Sequence, residues 1–222
     1  MVSVVAGQRV EVDEASRVPA LELMLDWAGR ILDSVGDGPR AMVGRIRGAG
    51  PGASFGRLIE RLECEHPVEM RRPFENTHSV AGGIWRSAGS SNALMKLQFD
   101  RGTGELPMHA HLNSARVILV AEGRGFFHVC DQTVEVFDGS DVRPVPVRSR
   151  DVLVFHAGIM HTFSAPDEDL VLLSFHAPFI NLDDSRQYTL PECVWRPADH
   201  AHSTKLIGCD PAWTMIAHSG GY

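Results

Sequence analysis

Apolar residues recur along this chain with two different periods, and the change of period divides it. Between residues 14 and 65 the step is three or four. Leu21, Met24, Ala28, Ile31, Leu32 and Val35 fall on one helical face, and Phe55, Leu58, Ile59 and Leu62 repeat the pattern. Pro19 stands where helices often begin, and the run Gly36, Asp37, Gly38, Pro39 stops the first one. Residues 48–53, rich in Gly and Pro, read as a flexible break before the second helix. Both helices are expected to pack outside the remaining structure or to build a dimer contact.

From residue 94 the step falls to two, or the apolar run becomes continuous, and both patterns predict strands. Residues 94–99 alternate, and residues 100–104 turn the chain. Residues 117–121 form an apolar run that closes at Gly123, and residues 126–130 and 133–137 follow as further strands. Asp138 and Gly139 give a hairpin-turn signal. Residues 142–147 read as an edge strand or loop, because Pro144 and Pro146 cannot donate to a ladder. Residues 152–155 and 170–175 read as buried strands. Residues 68–92 are mixed, including the Arg71, Arg72, Pro73, Phe74 stretch. The tail lacks a clear period, although Trp195 and Trp213 indicate that it packs down. The expected organisation is a mostly β domain over 79–180, an N-terminal helical extension over 1–78 and a packed tail over 181–222.

Composition narrows the function classes. No run approaches the ~18 uninterrupted apolar residues of a membrane span, and the first residues lack the basic segment and apolar core of a signal peptide. Twenty-one basic residues against 28 acidic ones give a net charge of −7, which argues against a nucleic-acid partner. A cytoplasmic protein is expected. Cys64, Cys130, Cys193 and Cys209 are scattered, with no Cys-x-x-Cys spacing for a zinc ribbon or redox dithiol. Buried free thiols are expected at Cys64 and Cys130, while Cys193 is a weaker candidate for lining a pocket.

Histidine spacing carries the chemistry. In a strand, residues two apart share a face, so His109 and His111 would both look inward with Ala110 outward. Neutral imidazole suits Zn, Fe, Cu and Ni alike. A third ligand is needed, and His161 lies just past the 152–155 strand. With 11 histidines in 222 residues, a His-x-His pair arises by chance roughly once in every two such chains. Indeed a second pair, His200 and His202, sits in the tail without an apolar strand and reads as solvated surface.

The surroundings of the first pair resemble the cupin superfamily over about residues 94–178. Its first motif, Gly-x5-His-x-His-x(3 or 4)-Glu-x6-Gly, finds His109, His111 and Gly123, with Thr103 in the place of the opening glycine. Its second, Gly-x5-Pro-x-Gly-x2-His-x3-Asn, finds Gly158 and His161, with Arg150, His156 and Ala165 at the other positions. The resemblance implies a single jelly-roll (double-stranded β-helix) barrel and a metal site. The motif glutamate is missing: its place falls on Ala115 or Arg116. The family therefore implies a three-histidine centre, as in several cupin dioxygenases, or loss of the metal.

Three neutral ligands leave a divalent ion with its full charge and suit an anionic, chelating substrate. Arg116 is a candidate grip for a substrate carboxylate, although strict alternation from His111 points it outward. Arg86 and His78 are candidates to reach the site from an early strand, with a solvated loop as the alternative. His156, at the family's proline, is a candidate partner orienting His161 or a proton shuttle. His176 is the leading candidate for acid–base chemistry or substrate contact. A thiol dioxygenase is less attractive, because neither Tyr188 nor Tyr222 lies in the barrel motifs. The expected function is a mononuclear non-haem Fe(II) oxygenase taking O2 and a small molecule, acting as a homodimer, with Zn, Ni or Mn as alternative ions. A redox-neutral metal enzyme (lyase, isomerase or decarboxylase) and a non-catalytic ligand-binding module are the rival readings.

Overall fold

One strand runs through both halves of the barrel. The computed structural model describes residues 2–3, 9–10, 19–36, 41–45, 49–65, 77–181, 184–200 and 214–216, with backbone alone at 2–3, 9–10, 49–56 and 214–216. In chain order the elements are β1 (Val2–Ser3), β2 (Arg9–Val10), α1 (Ala20–Val35), β3 (Ala41–Arg45) and α2 (Ala49–Glu65). They continue with β4 (Val80–Arg86), β5 (Ala93–Phe99), β6 (Ala115–Cys130), β7 (Arg143–Arg148), β8 (Asp151–Phe155), β9 (Met160–Ser164), β10 (Leu170–Ala177) and β11 (Thr214–Ile216). The 16-residue β6 pairs with β8 and β10 through its first half and with β7 and β9 through its second, always antiparallel. The main sheet runs β11-β3-β8-β6-β10-β5-β4. The result is a mostly antiparallel jelly roll with helices on its outside.

Gly123 lets β6 change partners. Its φ is +73°, and an added Cβ would lie 1.8 Å from the Asp169 carbonyl oxygen. Only glycine combines that backbone with so close an approach. Beside it the β6–β10 register shifts between Val171 and Leu172, a bulge that sharpens the local bend.

Alternation sorts the strands into two faces. Val117 and Leu119 of β6, Val152 and Val154 of β8, and Leu173 and Phe175 of β10 pack with Leu21, Met24, Ala28 and Ile31 of α1 in one cluster. The residues between them, Ile118, Val120, Leu153, Phe155 and Leu172, face inward with Phe99, Phe127 and Phe163. The expected helical face of α1 is therefore the face that covers the barrel. Burial of this stripe at about 25 cal/mol per Å² explains why an amphipathic helix with no side-chain cap is held in place.

Several expectations change. Residues 41–45 fall within the stretch expected to be helical, yet β3 pairs with β8 and lies in the sheet. Five residues are too few to reveal a period, and the open edge of β8 decides. The helix α2 starts at Ala49, so the expected break at 48–53 is largely its first turn. Pro51 there removes an N–H that has no intrahelical partner anyway. Residues 133–137 do not form a strand: Val134–Val136 is a 3₁₀ turn, because β7 and β9 already occupy both edges of this half of β6. The segment 143–148 is an edge strand that, among the described residues, pairs with β6 alone, as its prolines require. Cys130 is buried, whereas Cys64 and Cys193 are exposed. Cys209, Trp213, His202 and residues 71–74 lie outside the described residues.

Candidate metal centre

Backbone pairing brings the three histidines together. His109 and His161 form an antiparallel bridge, exchanging N–H···O bonds of 3.0 and 2.8 Å. Residues paired this way project side chains from the same face. His111, two positions on, shares that face, and its carbonyl accepts from the Gly158 N–H at 3.0 Å. Gly158, at φ +84°, provides the left-handed turn that leads into His161. Met108 and Ala110 point the other way, into a separate cluster with Phe137, Met160 and Trp195.

The imidazoles form a nearly equilateral triangle. Ring centroids lie 4.5 Å (109–161), 5.0 Å (109–111) and 5.1 Å (111–161) apart. One ring nitrogen from each lies within 4.8 Å of the others, and all three residues are buried. Each Nδ1 meets a backbone carbonyl: Pro107 for His109 at 2.9 Å, Ile159 for His161 at 2.8 Å, and Gln187 for His111. A carbonyl only accepts, so each Nδ1 carries the proton and each neutral ring keeps its Nε2 lone pair. Such outer hydrogen bonds fix both the tautomer and the ring direction of a metal-ligating histidine.

Electrostatics keep the rings neutral. Burial pushes His109 down to about 4, and it holds His111 and His161 well below the ordinary histidine range. The positive charge of Arg116 acts in the same direction on all three. Unprotonated at neutral pH, the three nitrogens fit a divalent cation.

Arg116 points inward, against the alternation argued from His111. The chain turns at Leu112 and Asn113, so alternation restarts at Ala115, where β6 begins. Arg116 then shares the inner face with Ile118 and Val120, opposite His176 on β10 and Phe155 on β8. It is 1% exposed, and burial lowers its guanidinium to about 9. Nη1 donates to Ser114 Oγ and to the Ala115 carbonyl at 3.0 Å. His176 also faces inward and is buried, its ring 6.4 Å from that of His111.

The other candidates lie farther out. Arg86 is exposed and places its guanidinium 5.1 Å from the Phe179 ring centroid. His78 is exposed. His156 is half-buried on the turn after β8, and the group that orients His161 is instead the Ile159 carbonyl. His200 is exposed and stacks on Trp195.

The segment 184–200 supplies what the sequence reading did not foresee. It runs along the first motif: Ala110 and Thr189 exchange bonds of 3.0 and 2.9 Å, and the Met108 N–H donates to the Trp195 carbonyl at 2.9 Å. This places the Gln187 carbonyl on His111 and stacks the Tyr188 ring 4.1 Å from that of His109. Tyr188 is therefore a site residue, although it lies outside the motifs. No periodicity announced it; the only available signal was an aromatic residue in a tail already expected to pack down.

A family model described as Cupin matches residues 89–178. No match was found among curated proteins. Among solved structures the chain is similar to the capsular polysaccharide assembling protein CapF from Staphylococcus aureus, at 13% identity and a TM-score of 0.45 over 57% of this chain. It spans only 34% of that protein's length. A cupin-2 domain from Rhodospirillum rubrum is 20% identical over 61% of this chain and 78% of its own, with a TM-score of 0.42. KdgF from Halomonas sp. is 18% identical over 53% of this chain and 92% of its own, with a TM-score of 0.39. The motif spacing, the jelly roll with its three-histidine cluster and the family match coincide on one segment: residues 89–178 form a cupin domain.

Proposed function

We propose that this chain is a metal-dependent cupin enzyme, a mononuclear non-haem Fe(II) oxygenase acting on a small anionic chelating substrate. The observation that carries the reading is the orientation of His109, His111 and His161. Their Nδ1 protons are tied to carbonyls, and their donor nitrogens converge. When bound, Fe(II) would supply Lewis acidity and a redox partner for O2, and three ligands leave coordination positions open. The protein's own groups would do the rest. Arg116 would hold a substrate carboxylate, the phenylalanines of the inner face would exclude water, and Tyr188 would keep the ring of His109 from tilting. The domain division proposed from the sequence then assigns 79–180 to the chemistry and the flanking segments to its support.

A redox-neutral metal reaction is favoured by one separate feature. His176 is neutral and has neither ring nitrogen engaged, as a base waiting for a substrate proton would be. One experiment separates the two readings. Protein reconstituted with Fe(II) under anaerobic conditions is offered a panel of α-hydroxy and α-keto acids while O2 is monitored. Oxygen uptake that depends on both Fe(II) and one of the acids is expected. Turnover with Zn, or without O2, would transfer the assignment to the redox-neutral class, and no turnover with any acid would overturn the oxygenase reading.

A further inference from the structure

One wall of the histidine centre is a segment that is only lightly fastened. Residues 184–190 reach two of the three imidazoles. The Gln187 carbonyl accepts from His111 Nδ1, and the Tyr188 ring lies 4.1 Å from that of His109 and 6.3 Å from that of His111. All three histidines are buried, so a metal ion needs an entry path through some part of the wall that moves. What fastens 184–190 is mostly backbone. Thr189 exchanges two bonds with Ala110, the Gln187 N–H donates to the Asp184 carbonyl at 2.9 Å, and the Tyr188 hydroxyl donates to the Pro107 carbonyl at 3.4 Å. Ser185, Arg186 and Leu190 are exposed, and among the described residues none of 184–190 joins an apolar cluster. The next stretch differs: Pro191, Trp195 and Pro197 are buried, and Trp195 packs with Met108, Phe137 and Met160. A segment with few buried apolar contacts opens more readily than an anchored neighbour.

A second observation points the same way. Gln187 is 4% exposed, and its side-chain Oε1 is buried with no hydrogen-bond partner. An orphaned acceptor raises the free energy of the closed segment and is relieved when that segment lifts into water. We propose that residues 184–190 form a strap that lifts to admit the metal and is locked down by it. The proposal rests on reading His109, His111 and His161 as ligands. The coupling is electrostatic. A cation on Nε2 draws charge from the ring, so the Nδ1–H of His111 becomes a stronger donor and its bond to Gln187 becomes charge-assisted. The face of Tyr188 likewise meets a ring of His109 that has become more positive. Closure fixes the direction of the same two rings, so strap closure and metal binding strengthen each other by one common factor. Tyr188 and the Gln187 carbonyl are positioning groups, and the strap is the route by which the ion arrives and leaves.

The test is hydrogen exchange read by mass spectrometry on metal-free protein, on protein loaded with Zn(II) as a redox-inert probe, and on protein loaded anaerobically with Fe(II). Either metal is expected to slow exchange in peptides covering 184–190 by about tenfold or more, with a smaller change in those covering α1 and β5. Release of Zn(II) to excess chelator gives the reciprocal readout. Thr189→Pro, which removes the N–H that donates to Ala110, should release the metal about tenfold faster. Gln187→Met removes the orphaned acceptor and keeps the backbone carbonyl, so it should slow both exchange in the metal-free strap and metal release. Equal exchange at 184–190 with and without one bound equivalent of metal would overturn the strap and leave the three-histidine reading standing. Protection by the same factor across the whole barrel would also overturn it, since general stabilisation by a ligand gives that result. Failure to bind either metal would overturn both readings. If Thr189→Pro does not fold, as judged by far-UV circular dichroism, the wild-type exchange comparison decides by itself.

Discussion

Replacing Arg116 with Met isolates the energetics on which the site's chemistry depends. The guanidinium is 1% exposed, and no carboxylate of the described residues pairs with it. Burial lowers the guanidinium to about 9, which at about 1.4 kcal/mol per pH unit is a penalty on the order of a few kcal/mol for holding the charge inside the barrel. Methionine keeps the unbranched stem and removes the charge. The Ser114 hydroxyl keeps its bond to the Pro178 carbonyl. Exchanging buried charge for apolar volume is often neutral or stabilising by about 1–4 kcal/mol, because the desolvation penalty is removed while imperfect repacking limits the gain. Metal-free Arg116→Met should therefore be more stable than the wild type in urea, with an unchanged slope. A gain of about 2 kcal/mol at a slope of about 2 kcal/mol per M moves the midpoint by about 1 M. Formate should raise the wild-type midpoint and leave the variant unmoved. A variant destabilised by more than about 1 kcal/mol would refute the reasoning, since the bonds and packing of Arg116 would then outweigh the penalty of its buried charge.

Two further outcomes follow from burial and backbone geometry. His109 and His128 are both pushed by burial from 6.5 to about 4, so between these values the folded state binds fewer protons than the unfolded one. Stability must then fall as pH falls through that window, by about 2 kcal/mol for each of the two at about pH 5. His111, His161 and His176 act in the same direction. Urea midpoints of metal-free protein compared at about pH 7 and about pH 5 check this, and equal midpoints would contradict it. Gly123→Ala must move the Asp169 carbonyl or abandon φ +73°, and should cost about 3 kcal/mol or more. At about 2–4 °C per kcal/mol for a chain of this size, thermal unfolding should drop by roughly 6–12 °C.

The legibility of this protein in its sequence follows the range of the signals. Alternation gave the inward faces of His109 and His111 and the outward face of Ala110, because strand geometry is local. The spacing from Gly158 to His161 gave the turn for the same reason. Arg150 stands where the second motif has glycine, and its φ of +79° is a backbone that glycine adopts without strain. Nonlocal facts were out of reach. Alternation cannot be carried across the turn at Leu112 and Asn113, so counting from His111 puts Arg116 on the wrong face. The strand β3 forms because β8 has a free edge, which no property of residues 41–45 announces. Gln187 serves His111 through a backbone carbonyl, and a carbonyl leaves no trace in residue identity.

Metal stoichiometry tests the central claim most directly. The wild type and a variant with His109, His111 and His161 all changed to Ala would be reconstituted with Fe(II) under anaerobic conditions, desalted and analysed for iron. Unchanged far-UV circular dichroism would show that the variant folds. The account predicts about one iron per wild-type chain and less than about a tenth of an equivalent in the variant. A folded wild type that retains no more iron than the variant would contradict it.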